Sequence, residues 1–200
     1  MTKTMNVERI SDYPIEPIFL DRWSPRAFEA NAIPAPDLLT ILEAARWAPS
    51  AFNVQPWRFL YSHRGDAHWQ QYLSLLDPFN ESWAQHASAL VFVLSDTVMP
   101  GDENRPDKVS RYNSFDTGAA WAQLALQATA LGYQAHAMAG VHFDKLRESL
   151  AIPERYRIEI AVAIGTRADP NMLPEMLQER EAPSQRLAIE EIAFTGGFPE

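Results

Sequence analysis

The chain has 200 residues, 46% hydrophobic and 22% charged, which suffices for one domain with a proper core and excludes disorder. A net charge of −9, from 26 acidic against 17 basic residues, weighs against a general nucleic-acid binder. The absence of cysteine excludes a disulfide, a thiolate zinc site, an iron–sulfur cluster and a cysteine nucleophile.

The N-terminal MTKTMNVERISDYP lacks the apolar core of a signal peptide. No apolar run approaches the roughly 20 residues of a membrane helix, so a cytoplasmic protein is expected. Among the basic residues only Lys3, Lys108 and Lys145 are lysines. Arginine's rigid fork suits phosphate, although a genomic bias gives the same composition.

Leu38, Leu39, Ile41, Leu42 and Ala45 at helical spacing predict a helix that begins near Pro34 and Pro36 and stops before Pro49. Trp57, Phe59 and Tyr61 alternate in WRFLYSH, a half-buried strand closed by a turn at Gly65. Residues 67–87 read as one or two short helices leading into the apolar strand 89–95. The polar stretch 97–112 reads as a surface loop or flap. Residues 115–131 form the clearest helix, rich in small side chains and stopped by Gly132. A strand near 133–139, a short helix around 143–150 and a strand at 157–165 follow, the last alternating Ile158, Ile160, Val162 and Ile164. The last 30 or so residues, with Pro170, Pro174, Pro183 and Pro199, show little periodicity, and a tail of that length is expected to lie on a partner subunit. The class is α+β.

Motifs for a dinucleotide-binding Rossmann turn, a phosphate-binding P-loop and a serine-hydrolase elbow are all missing. His63, His68, His86, His136 and His142 include no H-E-x-x-H pair, so no metal site is assigned. Glu190 and Glu191 read as a solvated face rather than an acid/base pair. Without side-chain catalytic apparatus, the chain is either a binding module or the host of a cofactor.

Two constellations remain. In DRWSPRAF (21–28), Arg22, Ser24 and Arg26 alternate, so in an extended segment they share one face and can converge on a phosphate; a solvated loop is the other reading. In RWAPSAFNVQPW (46–57), Ser50, Asn53 and Gln55 follow the helix stop at Pro49. Such neutral groups can read a heterocycle's edge, or form an ordinary loop.

In this order, R-x-S-x-R-x-F, a helix and then A-P-S-x-x-N-x-Q-P-W, the chain resembles the nitroreductase family of FMN-dependent oxidoreductases. The likeness continues through FNESWAQHASALVFVLS (79–95), FDTGAAWAQLALQATALGYQAHAMAG (115–140), IPERYRIEIAVAIG and SQRLAIEEI, from about residue 20 to the end. It implies a nitroreductase-like α+β fold over residues 1–200, with a central, mainly antiparallel sheet flanked by helices. A C-terminal tail would extend onto the partner of a homodimer that holds two flavins at its interface.

By the same resemblance Arg22, Ser24 and Arg26 bind the FMN phosphate, ribityl chain and pyrimidine edge, with backbone contacts from Trp23. Pro49, Ser50, Ala51, Asn53 and Gln55 belong to the segment that approaches the flavin from the other subunit. Asn80 hydrogen-bonds the ring or, alternatively, caps a helix. Met138, Ala139 and Gly140 run along the ring, and Ser184 and Arg186 close on the phosphate, with Arg180 as a rival ligand. No side chain is assigned a catalytic role, because the flavin itself carries hydride chemistry.

The chain departs from better-known members in several places. Arg26 and Ser184 each replace a basic residue, a lysine in the case of Arg26; Ala139 stands where some carry glutamate, and Trp83 where some have a lysine near the nicotinamide. The implied reaction is ping-pong hydride transfer from NADPH or NADH to an electron-poor small molecule such as a nitroaromatic or quinone. The 97–112 flap and Phe115 would shape the acceptor pocket. Oxygen-dependent or dehalogenating flavin chemistry, and flavin binding without turnover, remain alternatives at this point.

Overall fold

A computed structural model describes residues 9–199. A short helix α1 (Ile18–Asp21) enters an extended segment and then α2 (Ala35–Arg46), whose Leu38, Ile41 and Ala45 are buried. Strand β1 (Trp57–His63) leads through a turn, with Gly65 at φ +83°, to α3 (Trp69–Leu73) and α4 (Pro78–Ala84). Strand β2 (Ala89–Asp96) is buried throughout. The expected flap is built on a small antiparallel hairpin, β3 (Val98–Met99) and β4 (Lys108–Val109). Helix α5 (Asn113–Ala130) ends at Gly132, φ +84°, ahead of β5 (Gln134–Met138), α6 (Phe143–Ser149), β6 (Tyr156–Gly165) and α7 (Glu175–Gln178).

The main sheet runs β1-β2-β6-β5 with every neighbouring pair antiparallel. Both faces are covered, which explains why β2 reads as an unbroken apolar run rather than an alternation. On one face Leu90, Phe92 and Leu94 join Trp69, Tyr72, Trp83 and Leu146 from the short helices. On the other, Val91 and Val93 meet Leu38 and Ile41 of α2 and Leu124 and Ala128 of α5. The small residues of α5 let α2 pack closely against it.

One strand departs from its expected pattern. Val93 pairs with Ile160 but Leu94 pairs with Ile158, so Glu159 is an extra, bulged residue. The bulge turns Ile158 onto the α3/α4 face, while Ile160, Val162 and Ile164 face α2 and α5. It also aims Glu159 at the start of α5, where its Oε1 accepts from Ser95 (2.5 Å) and Ser114 (2.8 Å). On β1, Trp57 and Phe59 pack inward as expected, whereas Tyr61 stays exposed.

Candidate functional site

The arginine segment is extended and its burial alternates. Trp23, Pro25 and Ala27 face the interior; Arg22, Ser24 and Arg26 are half-buried on the opposite face, as the spacing predicts. Three elements grip its backbone. Glu181, only 3% exposed, accepts from the N–H groups of Arg26 (2.6 Å) and Ala27 (2.8 Å). His136 on β5 donates from Nδ1 to the Pro25 carbonyl at 2.8 Å. Arg9 donates to the carbonyls of Leu20 (2.9 Å) and Arg22 (2.6 Å) and also to that of Ser184 (3.1 Å), so it ties both ends of the chain to the segment.

Arg9, Arg22 and Arg186 form one cationic cluster. Burial, followed by the neighbouring guanidinium groups, holds Arg9 and Arg22 below the ordinary arginine pKa. None of the three forms an ion pair with a carboxylate among the described residues. Arg22 reaches Ser24 Oγ at 3.5 Å, and Arg186 donates to Ser184 Oγ at 3.0 Å. Arg180 lies nearer to Arg26, whose pKa burial lowers in spite of Glu181. The Nε of Arg26 is buried and has no hydrogen-bond partner.

A second group gathers at the end of β5. Asp77, not Asn80, caps α4: its Oδ1 accepts the Asn80 N–H at 2.7 Å. Asn80 is instead buried three residues into the helix, where its Nδ2 donates to the Gly140 carbonyl at 3.2 Å. A Cβ on Gly140 would overlap Asp77 Oδ2 and Asn80 Nδ2, so only glycine fits this close approach. Met138 is buried, and Ala139 is exposed beside it.

The two groups are linked through the core. Phe28 stacks on Trp83 with centroids 6.3 Å apart, and Trp83 lies 4.7 Å from His136. Trp83 is therefore a core residue, 1% exposed. Burial brings His136 down to about 4, so the ring is neutral at physiological pH.

The 49–55 segment is held elsewhere, between α5 and β1. Ala51 N–H donates to the buried Asp116 at 3.0 Å, and Gln55 N–H to Ser50 Oγ at 3.0 Å. Gln55 turns its amide back to the Asn53 carbonyl (3.2 Å), while Pro49 and Asn53 are exposed. Phe52, Asn53 and Gln55 all sit in the left-handed region at φ 53°, 55° and 53°, a strained arrangement of the kind that clusters at functional sites. The structure thus joins Arg22–Arg26 with Ser184 and Arg186, and Asn80 with Gly140, and anchors 49–55 separately.

The sequence reading missed Arg9, Glu181, His136, Asp77 and Asp116. Asp77 carried a usable signal, an Asp-Pro ahead of a helix. Asp116 was a lone carboxylate in a run of small helical residues.

The nitroreductase family profile matches residues 20–85 and 66–166. A solved structure described as an oxidoreductase containing FMN is 48% identical, with a TM-score of 0.93 over 100% of this chain and 99% of that one. The CLA biosynthesis enone reductase of Lactiplantibacillus plantarum is 27% identical over 195 residues, 81% of this chain and 89% of its own. The NADH dehydrogenase of Thermus thermophilus is 27% identical over 200 residues, 88% of this chain and 92% of its own. The chain belongs to the nitroreductase family of oxidoreductases.

The residues present fit FMN. A dianionic phosphate needs clustered donors without a competing carboxylate, which describes Arg9, Arg22 and Arg186. A heterocycle edge needs a donor left open, and buried Arg26 Nε is one. Gly140 leaves room for Asp77 and Asn80 to pack against the end of β5, which fixes the backbone of 138–140 that a flat ring would run along. Among the described residues no helix is long and apolar enough to cross a membrane, and no cluster of His, Asp and Glu could hold a metal ion.

Proposed function

We propose that the chain is an FMN-dependent oxidoreductase that passes reducing equivalents from NAD(P)H to an electron-poor small molecule such as a nitroaromatic or quinone. The observation that carries this reading is the trio Arg9, Arg22 and Arg186, with the unpartnered Nε of Arg26 farther along the same extended segment. FMN, when bound, supplies the hydride-accepting N5 centre that no side chain of this protein provides.

Arg22, Ser24 and Arg186 would hold the phosphate and ribityl oxygens, with Arg9 adding charge and fixing the Arg22 and Ser184 carbonyls. Arg26 would donate to the pyrimidine edge and favour negative charge there. Asn80, Met138, Ala139 and Gly140 would line the ring, and Trp23 would contribute backbone. Residues 1–200 would act as one FMN-binding domain, two copies forming a homodimer in which Pro49, Ser50, Ala51, Asn53 and Gln55 of one copy complete the site of the other. Exposed Trp47 (71%), Phe52 (85%) and Phe115 (80%), with apolar Leu187, Ile192 and Phe198 along the tail, support such a partner. NAD(P)H would give up its hydride and leave as NAD(P)+ before the acceptor enters the same place.

Initial rates at varied NAD(P)H and benzoquinone test the order: parallel double-reciprocal lines are expected and intersecting lines contradict it. Sedimentation of the FMN-loaded protein is expected at the mass of a dimer, and a monomer contradicts the shared site.

A further inference from the structure

The strained 52–55 turn and the β3–β4 hairpin enclose a cavity of about 700 Å³, within the size range of small-ligand sites. The arginine cluster and Asn80 are not part of its wall, and neither is Phe115, which stands exposed on the first turn of α5. Phe52 and Tyr112 present apolar ring surface to it. Its charged lining consists of Arg105, Lys108, Arg111 and Asp102. Asp102 is bound to Arg105 at 2.5 Å, which neutralises that pair and leaves the side chains of Lys108 and Arg111 without hydrogen-bonding or ionic partners among the described residues. A surplus of two positive charges in one concavity stands out in a chain of net charge −9 that has only three lysines. Left-handed backbone at Phe52 and Asn53 costs energy, and at Phe52 it holds a large ring in the open at the cavity wall.

We propose that this cavity is a subsite for planar, ring-bearing electron acceptors that carry a carboxylate or similar anionic group. The rings of Phe52 and Tyr112 take the flat body, and Lys108 and Arg111 take the anion. The proposal rests on the oxidoreductase and homodimer reading above, because the wall it shares with the 49–55 segment would set it beside the flavin of the other copy. It deepens that reading by naming the charge of the acceptor.

The test compares 4-nitrobenzoate with nitrobenzene as oxidants of FMN-loaded protein reduced beforehand with dithionite, so that no nicotinamide is present. The readout is the ratio of the two second-order reoxidation rates, because loss of folded protein or of flavin lowers both alike. The ratio is expected to fall about tenfold in Lys108→Gln/Arg111→Gln, the scale for two part-exposed charge contacts. It is expected to rise in Asp102→Asn, which frees Arg105, and to fall in the unmodified protein as salt is added. A ratio that is the same in all three proteins overturns the subsite. So does a double variant that changes only the rate of reduction by NADH or NADPH, which would give the cations to the donor. If the protein takes up no FMN, calorimetric titration with 4-nitrobenzoate decides separately. Binding weakened about tenfold in the double variant upholds the cavity as a site for planar anions while its role as an acceptor subsite falls with the oxidoreductase reading, and identical binding overturns the site as well.

Discussion

Glu181 holds Arg26 by its main chain and not by its side chain: the carboxylate Oε1 lies 2.6 Å from the Arg26 backbone nitrogen, and the Arg26 Nε stays buried without a partner. The acid fixes the shape of the arginine segment and leaves the guanidinium free to meet a ligand. Glu181 belongs to the C-terminal stretch that also carries Ser184 and Arg186, so one carboxylate sets the spacing between the two halves of the anion site.

Replacing Glu181 with Ala should therefore leave two backbone N–H groups unmet in a buried place. The expected cost is about 1–3 kcal/mol of folding stability, measured by urea denaturation. FMN affinity should fall as well, and Glu181→Gln, which keeps one acceptor oxygen, should recover much of it.

His136 makes stability depend on pH. Its folded-state pKa is brought down to about 4, mainly by burial, from an unfolded value near 6.5. The unfolded chain thus binds the proton more readily, and stability contributed above pH 6.5 is lost as pH falls from there toward 4. The full loss is about 3 kcal/mol. Urea titrations across this range should show the slope, and His136→Gln should flatten it. In the same window, protonation would place a charge in a buried position that the bond to the Pro25 carbonyl offsets only in part, so flavin retention should decline in parallel.

Arg22→Ala should weaken FMN binding about tenfold to a hundredfold, the value of a charge-assisted contact. Riboflavin, which lacks the phosphate, should bind the variant and the unmodified protein alike. Arg9→Ala should follow the same pattern, since its charge belongs to the same cluster. Fluorescence titration with both flavins checks this, and equal losses for both would remove these arginines from the phosphate.

Gly140→Ala places a methyl group against Asp77 and Asn80. The expected result is a loss of about 1–3 kcal/mol, because the cap of α4 must shift to make room. Thermal unfolding measures it, and the FMN affinity of the folded variant reports on how far the ring depends on that close approach.

Much of this was legible in the residues. The helix over 35–46, the stop at Gly132 and the strands at 57–63 and 89–96 all follow from local periodicity and punctuation. The shared face of Arg22, Ser24 and Arg26 follows from strand geometry alone. What was not legible depends on distant partners. The bulge at Glu159 is set by pairing with β2 and by Ser114 on α5, neither of which leaves a mark in the sequence RIEIAVAIG. Glu181 and His136 looked like an ordinary tail carboxylate and an ordinary strand histidine until the chain brought them to residues 25–27, more than 100 positions away. Arg9 was hidden because its partners are main-chain carbonyls, those of Leu20, Arg22 and Ser184, which no side-chain pattern marks.

The most direct test of the account is the visible spectrum of the purified protein mixed with FMN and freed of unbound ligand, before and after NADH or NADPH is added without oxygen. Retained flavin absorbance that bleaches with at least one donor is the predicted result. A preparation that retains no flavin, or a bound flavin that neither donor bleaches, would contradict it.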